Sequence, residues 1–166
     1  MNYFAYGSNM CSSRLMDRIS DVKVISVGKL SNHKLMFNKR SIKDSSGKAN
    51  AFFTDNSCDY IFGIIYEIDS YQKSKLDIFE GVGKGYIEKE VSLIQQNDKT
   101  IEAITYIADE NNIDNTLLPY SWYLEYLVVG AIDFNLPLDY IEKIKQTKTI
   151  IDYDNKRLQE FVMIIT

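Results

Sequence analysis

Three segments of this 166-residue chain carry residue types whose spacing suits chemistry. The first is Tyr6-Gly7-Ser8-Asn9, which follows the aromatic strand pattern Tyr3-Phe4-Ala5-Tyr6 and precedes a helical one. A chain passing from strand to helix through Gly-Ser-Asn presents backbone N–H groups at the positive end of the helix dipole, a setting for a carboxylate or a developing oxyanion. The same residues would also serve as a plain strand–turn–helix cap, with Ser8 or Asn9 as N-cap. The second segment is Glu80 ahead of Gly81, Gly83 and Gly85. These alternating glycines are not a phosphate loop, because no Lys-Ser or Lys-Thr follows and a strand pattern comes next instead of a helix. Glu80 itself ends a helical pattern. The negative dipole end disfavours a carboxylate there by ~0.3–1 kcal/mol at exposed positions, which raises its pKa in the direction a general base needs. Glycines beside it would let a ligand or a backbone segment come close. The plainer reading is a surface Glu followed by a Gly C-cap. The third segment is Tyr123 within Pro119–Tyr126. Trp122 and Tyr126 share a helix face and Tyr123 is rotated off it. Aromatic helices are ordinarily core, and a Tyr whose hydroxyl reaches a pocket is the less common use.

Composition narrows the chemistry. One His and two Cys argue against a Cys/His zinc site, which takes three or four such ligands. Any Ser–His or Cys–His nucleophile would have to use His33, which sits in Ser-Asn-His-Lys-Leu with no partner at a useful spacing. Cys11 and Cys58 read as free thiols in a chain long enough to build its own core, and nothing near Cys11 in sequence lowers its pKa. The net charge of −4 contains no basic stripe, so no nucleic-acid partner is expected. No leader pattern and no apolar run of about 18 residues is present, so the expected location is cytoplasmic, without a membrane partner.

The elements that must position these segments alternate along the chain. A helix is expected over Met10–Arg18, with Leu15 and Ile19 on its apolar side. Strands are expected at Val22–Leu30, His33–Phe37, Ala51–Thr54 and Tyr60–Ile68. The last is nearly continuous in its hydrophobicity, as befits a central strand buried on both faces. Residues 39–49 are polar and Gly/Ser-rich and read as an exposed, mobile loop. Asp69 or Ser70 caps a helix over Tyr71–Phe79. Ile87–Ile94 and Ile101–Ile107 form a hairpin about Asn97-Asp98, and 108–116 is a polar connection. Pro119 stands at the first helical position ahead of Tyr120–Phe134. Pro137 opens a helix over Leu138–Lys148, and the tail through Leu158 and Phe161 is weakly helical. Strands dominate residues 1–107 and helices the rest. That distribution predicts one α+β domain over 1–166, built on one main sheet or a partly closed barrel.

One ordered set of residues carries a further signal. It comprises Tyr3-Phe4-Ala5-Tyr6-Gly7-Ser8-Asn9, His33-Lys34-Leu35-Met36-Phe37, Phe62-Gly63-Ile64-Ile65-Tyr66, Leu76-Asp77-Ile78-Phe79-Glu80-Gly81-Val82 with Tyr86 and Glu90-Val91, and Tyr123 with Gly130-Ala131 and Leu136-Pro137-Leu138-Asp139-Tyr140. In order and spacing, over residues 1–145, this set resembles the γ-glutamylcyclotransferase family. The resemblance implies a mixed, partly closed β-barrel with flanking helices. It implies conversion of a γ-glutamyl compound into 5-oxoproline plus a free amine, the substrate's own α-amine being the nucleophile. Glu80 would be the general acid/base. Tyr3, Phe4, Ala5, Tyr6, Gly7 and Ser8 would form the substrate-binding loop, with backbone N–H groups for the oxyanion, and Tyr123 would bind substrate. Tyr86 would be a pocket wall. No metal or organic cofactor is implied, and the oligomeric state stays open, a homodimer included. Three departures bear on leaving-group specificity: a loop after Glu80 one residue shorter than in animal-type members, Phe79 in place of a polar residue, and no counterpart for 39–49. The first loop does not match the Tyr-Gly-Thr-Leu of the γ-glutamylamine branch. Two other readings stay open: a non-enzymatic binding module on the same fold, and a γ-glutamyl deprotecting enzyme of secondary metabolism.

Overall fold

The computed structural model describes residues 1–165. Its strands are β1 (Asn2–Ala5), β2 (Lys23–Ser31), β3 (His33–Arg40), β4 (Gly47–Phe53), β5 (Tyr60–Glu67), β6 (Tyr86–Gln95) and β7 (Thr100–Ala108). Its α-helices are α1 (Ser12–Arg18), α2 (Ser70–Glu80), α3 (Ser121–Asp133), α4 (Leu138–Lys145) and α5 (Asn155–Ile165). Five strands close a mixed barrel in the order β1-β5-β2-β6-β7, and β3-β4 form a separate two-stranded sheet. The barrel closes where β1 meets β7 in parallel at Tyr3↔Ile104.

β5 lies antiparallel between β1 and β2, with Phe4 opposite Ile65 and Gly28 opposite Gly63. Ile64 and Ile65 point to opposite faces and both are fully buried, so both faces of this strand are covered, as its continuous hydrophobicity predicts. Each such burial is worth about 1.5–3 kcal/mol relative to exposure. The β6–β7 hairpin pairs Tyr86 with Ala108 and Ile94 with Thr100, which carries Tyr86 and Tyr106 to the same end of the barrel.

α2 is delimited from its own sequence. Asp69 accepts from the Gln72 N–H and the Gln72 side chain accepts from the Asp69 N–H, both at 2.8 Å, a reciprocal capping box. Gly81 ends the helix at φ 66°, ψ 49°, a left-handed conformation that a β-carbon disfavours. Glu80 is therefore the last helical residue. α3 packs on the turn after β1. At Gly130 a β-carbon would lie 2.4 Å from the Met10 carbonyl carbon, so a side chain there would push that turn away.

Four expectations need correction. The helix expected from Met10 is two pieces, a 3-10 turn at Ser8–Met10 and α1 from Ser12, with Cys11 extended between them. Neither Ser8 nor Asn9 caps it, because the Asn9 amide is committed to longer-range partners. The exposed loop over 39–49 is instead a hairpin: β3 runs to Arg40, β4 starts at Gly47, and Lys39, Ser41 and Ser46 are buried. Its polar side chains pair locally, Asp44 accepting from the Ser46 N–H at 3.0 Å and from Lys48 at 2.8 Å, so polarity there does not mean solvent. Pro119 precedes the α3 N-cap, Tyr120, and does not occupy the first helical position. Pro137 does cap α4, though the helix stops at Lys145.

Candidate active site

A narrow pocket opens at one end of the barrel. It is lined by Tyr3, Tyr6, Gly7, Ser8, Asn9, Ala49, Glu80, Tyr86, Thr105, Tyr106 and Tyr123. Residues from β1, the turn after it, β4, α2, the β6–β7 hairpin and α3 thus converge on one space. Of the residues singled out in sequence, Glu80, Tyr3, Tyr6, Gly7, Ser8, Tyr86 and Tyr123 meet here. Phe4 and Ala5 do not line the pocket. The Phe4 side chain is fully buried in the barrel, and its carbonyl accepts from Thr105 Oγ1 at 2.8 Å.

Glu80 is held from two sides through one oxygen. Arg18 Nη1 donates to Oε1 at 2.7 Å and Asn9 Nδ2 donates to the same Oε1 at 2.9 Å. Arg18 Nη1 also donates to Asn9 Oδ1 at 2.9 Å, which closes the triangle. The ion pair is mostly shielded, with side-chain exposures of 14% for Arg18 and 15% for Glu80. Charge-assisted bonds in such a setting are about twice as strong as neutral ones. Glu80 Oε2 makes no hydrogen bond among the described residues. Arg18 is a cation that sequence patterns did not bring to this place.

The phenols form a neutral frame around it. Tyr3 Oη accepts from Asn9 Nδ2 at 2.8 Å, and Tyr6 Oη donates to the Tyr106 carbonyl at 2.5 Å. Tyr86 and Tyr123 share the backbone of Ala49: Tyr86 Oη donates to its carbonyl at 2.6 Å, and its N–H donates to Tyr123 Oη at 3.1 Å. Burial pushes the pKa values of Tyr3, Tyr6, Tyr86 and Tyr123 up, with the Glu80 charge adding to it. They are therefore O–H donors at neutral pH, and Glu80 is the one carboxylate lining the pocket among the described residues. Tyr3 and Tyr123 act as acceptors, from Asn9 and from the Ala49 N–H, and Tyr123 also bonds with the Ser8 side chain. The backbone N–H groups of Gly7 and Ser8 have no acceptor among the described residues.

Sequence reasoning missed Arg18, Ala49, Thr105 and Tyr106 at this site, and took Asn9 for a cap. Arg18 lies 62 positions from Glu80, and no local pattern links them. Tyr106, with Oη 2.8 Å from Asp77 Oδ1, is buried beside the equally buried Thr105, so the alternation of β7 does not single it out. His33 is buried away from the pocket. Its Nδ1 lies 2.7 Å from the Ser31 carbonyl and its ring meets Phe53 edge-on, a structural role. Cys11 is buried and Cys58 exposed, both free. Among the described residues no group of His, Cys, Asp and Glu could hold a metal ion, and no helix is long and apolar enough to cross a membrane. Past Ser8, Glu80, Tyr86 and Tyr123 the pocket widens into an outer cleft walled by the β3–β4 hairpin, α1, α3 and α5.

The chain and its fold are similar to known proteins. The AIG2-like family model matches residues 60–144, just over half of the chain. The gamma-glutamylcyclotransferases of Homo sapiens and Bos taurus are each 31% identical to it over 168 aligned residues, which cover 98% of this chain and 86% of theirs. A solved structure named gamma-glutamyl cyclotransferase superposes with a TM-score of 0.88 at 30% identity, over 99% of this chain and 96% of that one.

Proposed function

The chain belongs to the γ-glutamylcyclotransferase family, and from that premise we propose that it converts a γ-glutamyl compound into 5-oxoproline and a free amine with Glu80 as the single proton carrier. The observation that carries this reading is the two-sided hold on Glu80 Oε1, which leaves Oε2 without a partner among the described residues on a side chain that lines the same pocket as Gly7 and Ser8.

Oε2 takes a proton from the substrate's α-ammonium, and the freed amine attacks the γ-carbonyl carbon. The new C–N bond closes a five-membered ring, and the carbonyl oxygen becomes an oxyanion. The unpaired N–H groups of Gly7 and Ser8 are suited to receive it, and preorganised donors of this kind commonly supply the largest share of catalysis. Collapse breaks the C–N bond to the leaving amine. Across the reaction the α-nitrogen goes from ammonium to lactam N–H and loses two protons. The leaving nitrogen goes from amide N–H to ammonium and gains two. Glu80 carries them as base and then as acid, and ends as it began. Because the nucleophile arrives inside the substrate, folding the chain back on itself replaces a bimolecular encounter. The O–H groups of Tyr3 and Tyr123 bind the glutamyl moiety, and Tyr86 walls the pocket. Two free thiols fit the reducing cytoplasm, which is the location this reading assumes.

The test is to follow 5-oxoproline release from a panel of γ-glutamyl-amino acids and γ-glutamyl-amines. The wild type turns over at least one of them, and Glu80→Gln loses at least about 100-fold in kcat, the low end for a general base. A Gln variant as active as wild type removes the mechanism, and a wild type inert on the whole panel removes the activity.

A further inference from the structure

The outer cleft has a charge opposite to that of the whole protein. Seven Lys and Arg side chains line it against three Asp and Glu, in a chain of net charge −4. Two of the three acids are already committed, Glu80 to Arg18 at 2.7 Å and Asp44 to Lys48 at 2.8 Å. The third, Glu160, is exposed on α5. Arg14, Lys39, Lys43 and Lys84 make no ion pair among the described residues.

Two of these cations are built into the walls. Lys39 is only 6% exposed, and its ammonium sits 4.6 Å from the centre of the Tyr86 ring, where the inner pocket meets the cleft. Gly85 packs directly on it: a β-carbon at that position would lie 2.9 Å from Nζ. Arg14 stacks its guanidinium 4.2 Å from the centre of the Tyr126 ring, and its buried Nε has no hydrogen-bond partner. A ring face holds a cation but accepts none of its N–H bonds in a directed way; the Lys39 ammonium makes no hydrogen bond among the described residues, and Arg14, which also bonds with the Tyr126 hydroxyl, keeps donors beyond that bond. Burial lowers the pKa of each, and the like charge of Arg18 lowers that of Arg14 further. Buried, unpaired charges of one sign are costly unless an opposite charge arrives.

We propose that Arg14 and Lys39 form an anion subsite for the leaving half of the substrate, so that the favoured γ-glutamyl compounds release an acidic amine, an amino acid or short peptide bearing a second carboxylate. This rests on the reading of the inner pocket as the glutamyl site, since it assigns the half of the substrate that projects outward. Arg14 receives a carboxylate through its planar donor edge and Lys39 as a point charge. A neutral amine would leave both unmatched.

The experiment compares three probes at low and at high salt: γ-glutamyl-glutamate, its neutral near-isostere γ-glutamyl-glutamine, and a γ-glutamyl-alkylamine. Wild type favours the glutamate compound over the glutamine compound by about tenfold in kcat/KM, as one charge-assisted hydrogen bond implies, and favours both over the alkylamine. Salt compresses the series. Lys39→Met and Arg14→Met each bring the glutamate-to-glutamine ratio toward one, mainly through KM. In parallel, calorimetry measures binding of free glutamate and free glutamine to the wild type and both variants without any turnover. A wild type that turns over these probes with a ratio of one or less overturns the subsite, as does a ratio unaltered in both variants. A wild type inert on all three probes but active on another γ-glutamyl compound of the panel overturns the subsite, and one inert on the whole panel overturns the glutamyl reading. Calorimetry then decides the subsite separately: a preference for glutamate that either variant abolishes sustains it, and equal binding of the two amino acids overturns it.

Discussion

In the inner pocket the phenols of Tyr3, Tyr6, Tyr86 and Tyr123 are each tied to a partner within the protein, and Glu80 is clamped by Arg18 and Asn9. In the outer cleft, Arg14 and Lys39 rest on aromatic faces and pair with no acid among the described residues. The first region is a closed hydrogen-bond network around one carboxylate. The second is a surplus of charge around open space. Under the proposed function the difference matches the two halves of a γ-glutamyl compound. One half would undergo the same chemistry in every substrate and need donors fixed in advance. The other would vary and be sorted by charge at the rim. Disturbing the inner region should therefore lower kcat, and disturbing the outer one should move KM and substrate preference.

After Glu80→Gln, the largest effect is expected at Arg18. Arg18→Met removes a donor from both Glu80 and Asn9 and leaves a shielded carboxylate without its cation, so kcat should fall about 10–100-fold, in line with the 1.5–3 kcal/mol of a charged hydrogen bond. Arg18→Lys should restore part of it, since a point charge can reach one oxygen but cannot brace Asn9 as well. If Arg18→Met changes KM alone, the clamp is not catalytic and the division between the two regions fails. Tyr123→Phe comes next. It leaves the Ala49 N–H, buried at the floor of the pocket, without its acceptor and should cost ~1–3 kcal/mol of stability, seen as a few degrees in Tm, with kcat reduced less than tenfold. An activity loss without any fall in Tm would assign Tyr123 to substrate alone.

The smallest effect is expected at the far wall of the outer cleft, where charge is structural. Asp152 is buried and accepts from Arg157 Nε at 2.6 Å and from Trp122 Nε1 at 2.9 Å. The Arg157 bonds hold its carboxyl well below the usual carboxylate range. A depressed folded-state pKa contributes stability that is complete above the unfolded value of about 3.9 and is lost as the pH falls below it. Urea midpoints of wild type should thus drop steeply below about pH 4. Asp152→Asn should be less stable near neutrality and show a flatter acid limb, while its glutamate-to-glutamine ratio stays at the wild-type value. A changed ratio would mean that Arg157 belongs to the anion subsite with Arg14 and Lys39.

Much of this architecture was legible locally. The capping box at Asp69 and the left-handed Gly81 delimit α2 within a dozen residues, so the place of Glu80 at a helix end follows from its near neighbours alone. The continuous apolar run of β5 gave its central place, and the β6–β7 hairpin sits where its alternation puts it. Residues 39–49 failed for the opposite reason. Lys39 is buried by Tyr86 and Gly85, which are distant in sequence, and Asp44 is satisfied by its own neighbours, so composition pointed to solvent where there is a wall. Asn9 failed because a cap and a long-range donor require the same residue type. Its partners decided between them.

The sequence by itself determined the elements whose signals are short-range: caps, turns, alternation, and the ordered motif set that places Glu80, Tyr86 and Tyr123 in one family pattern. Only the tertiary structure decided how charge is distributed over them. Arg18 and Asn9 reach Glu80 across 62 and 71 positions, and Arg14 and Lys39 come from α1 and β3 to the same cleft. Helix and strand periodicities extend over a few residues, whereas an ion pair depends on barrel closure and on α3 seating against the Ser8–Met10 turn. Whether a given cation finds an acid is settled at that range, and here it separates a clamped carboxylate from an open anion site.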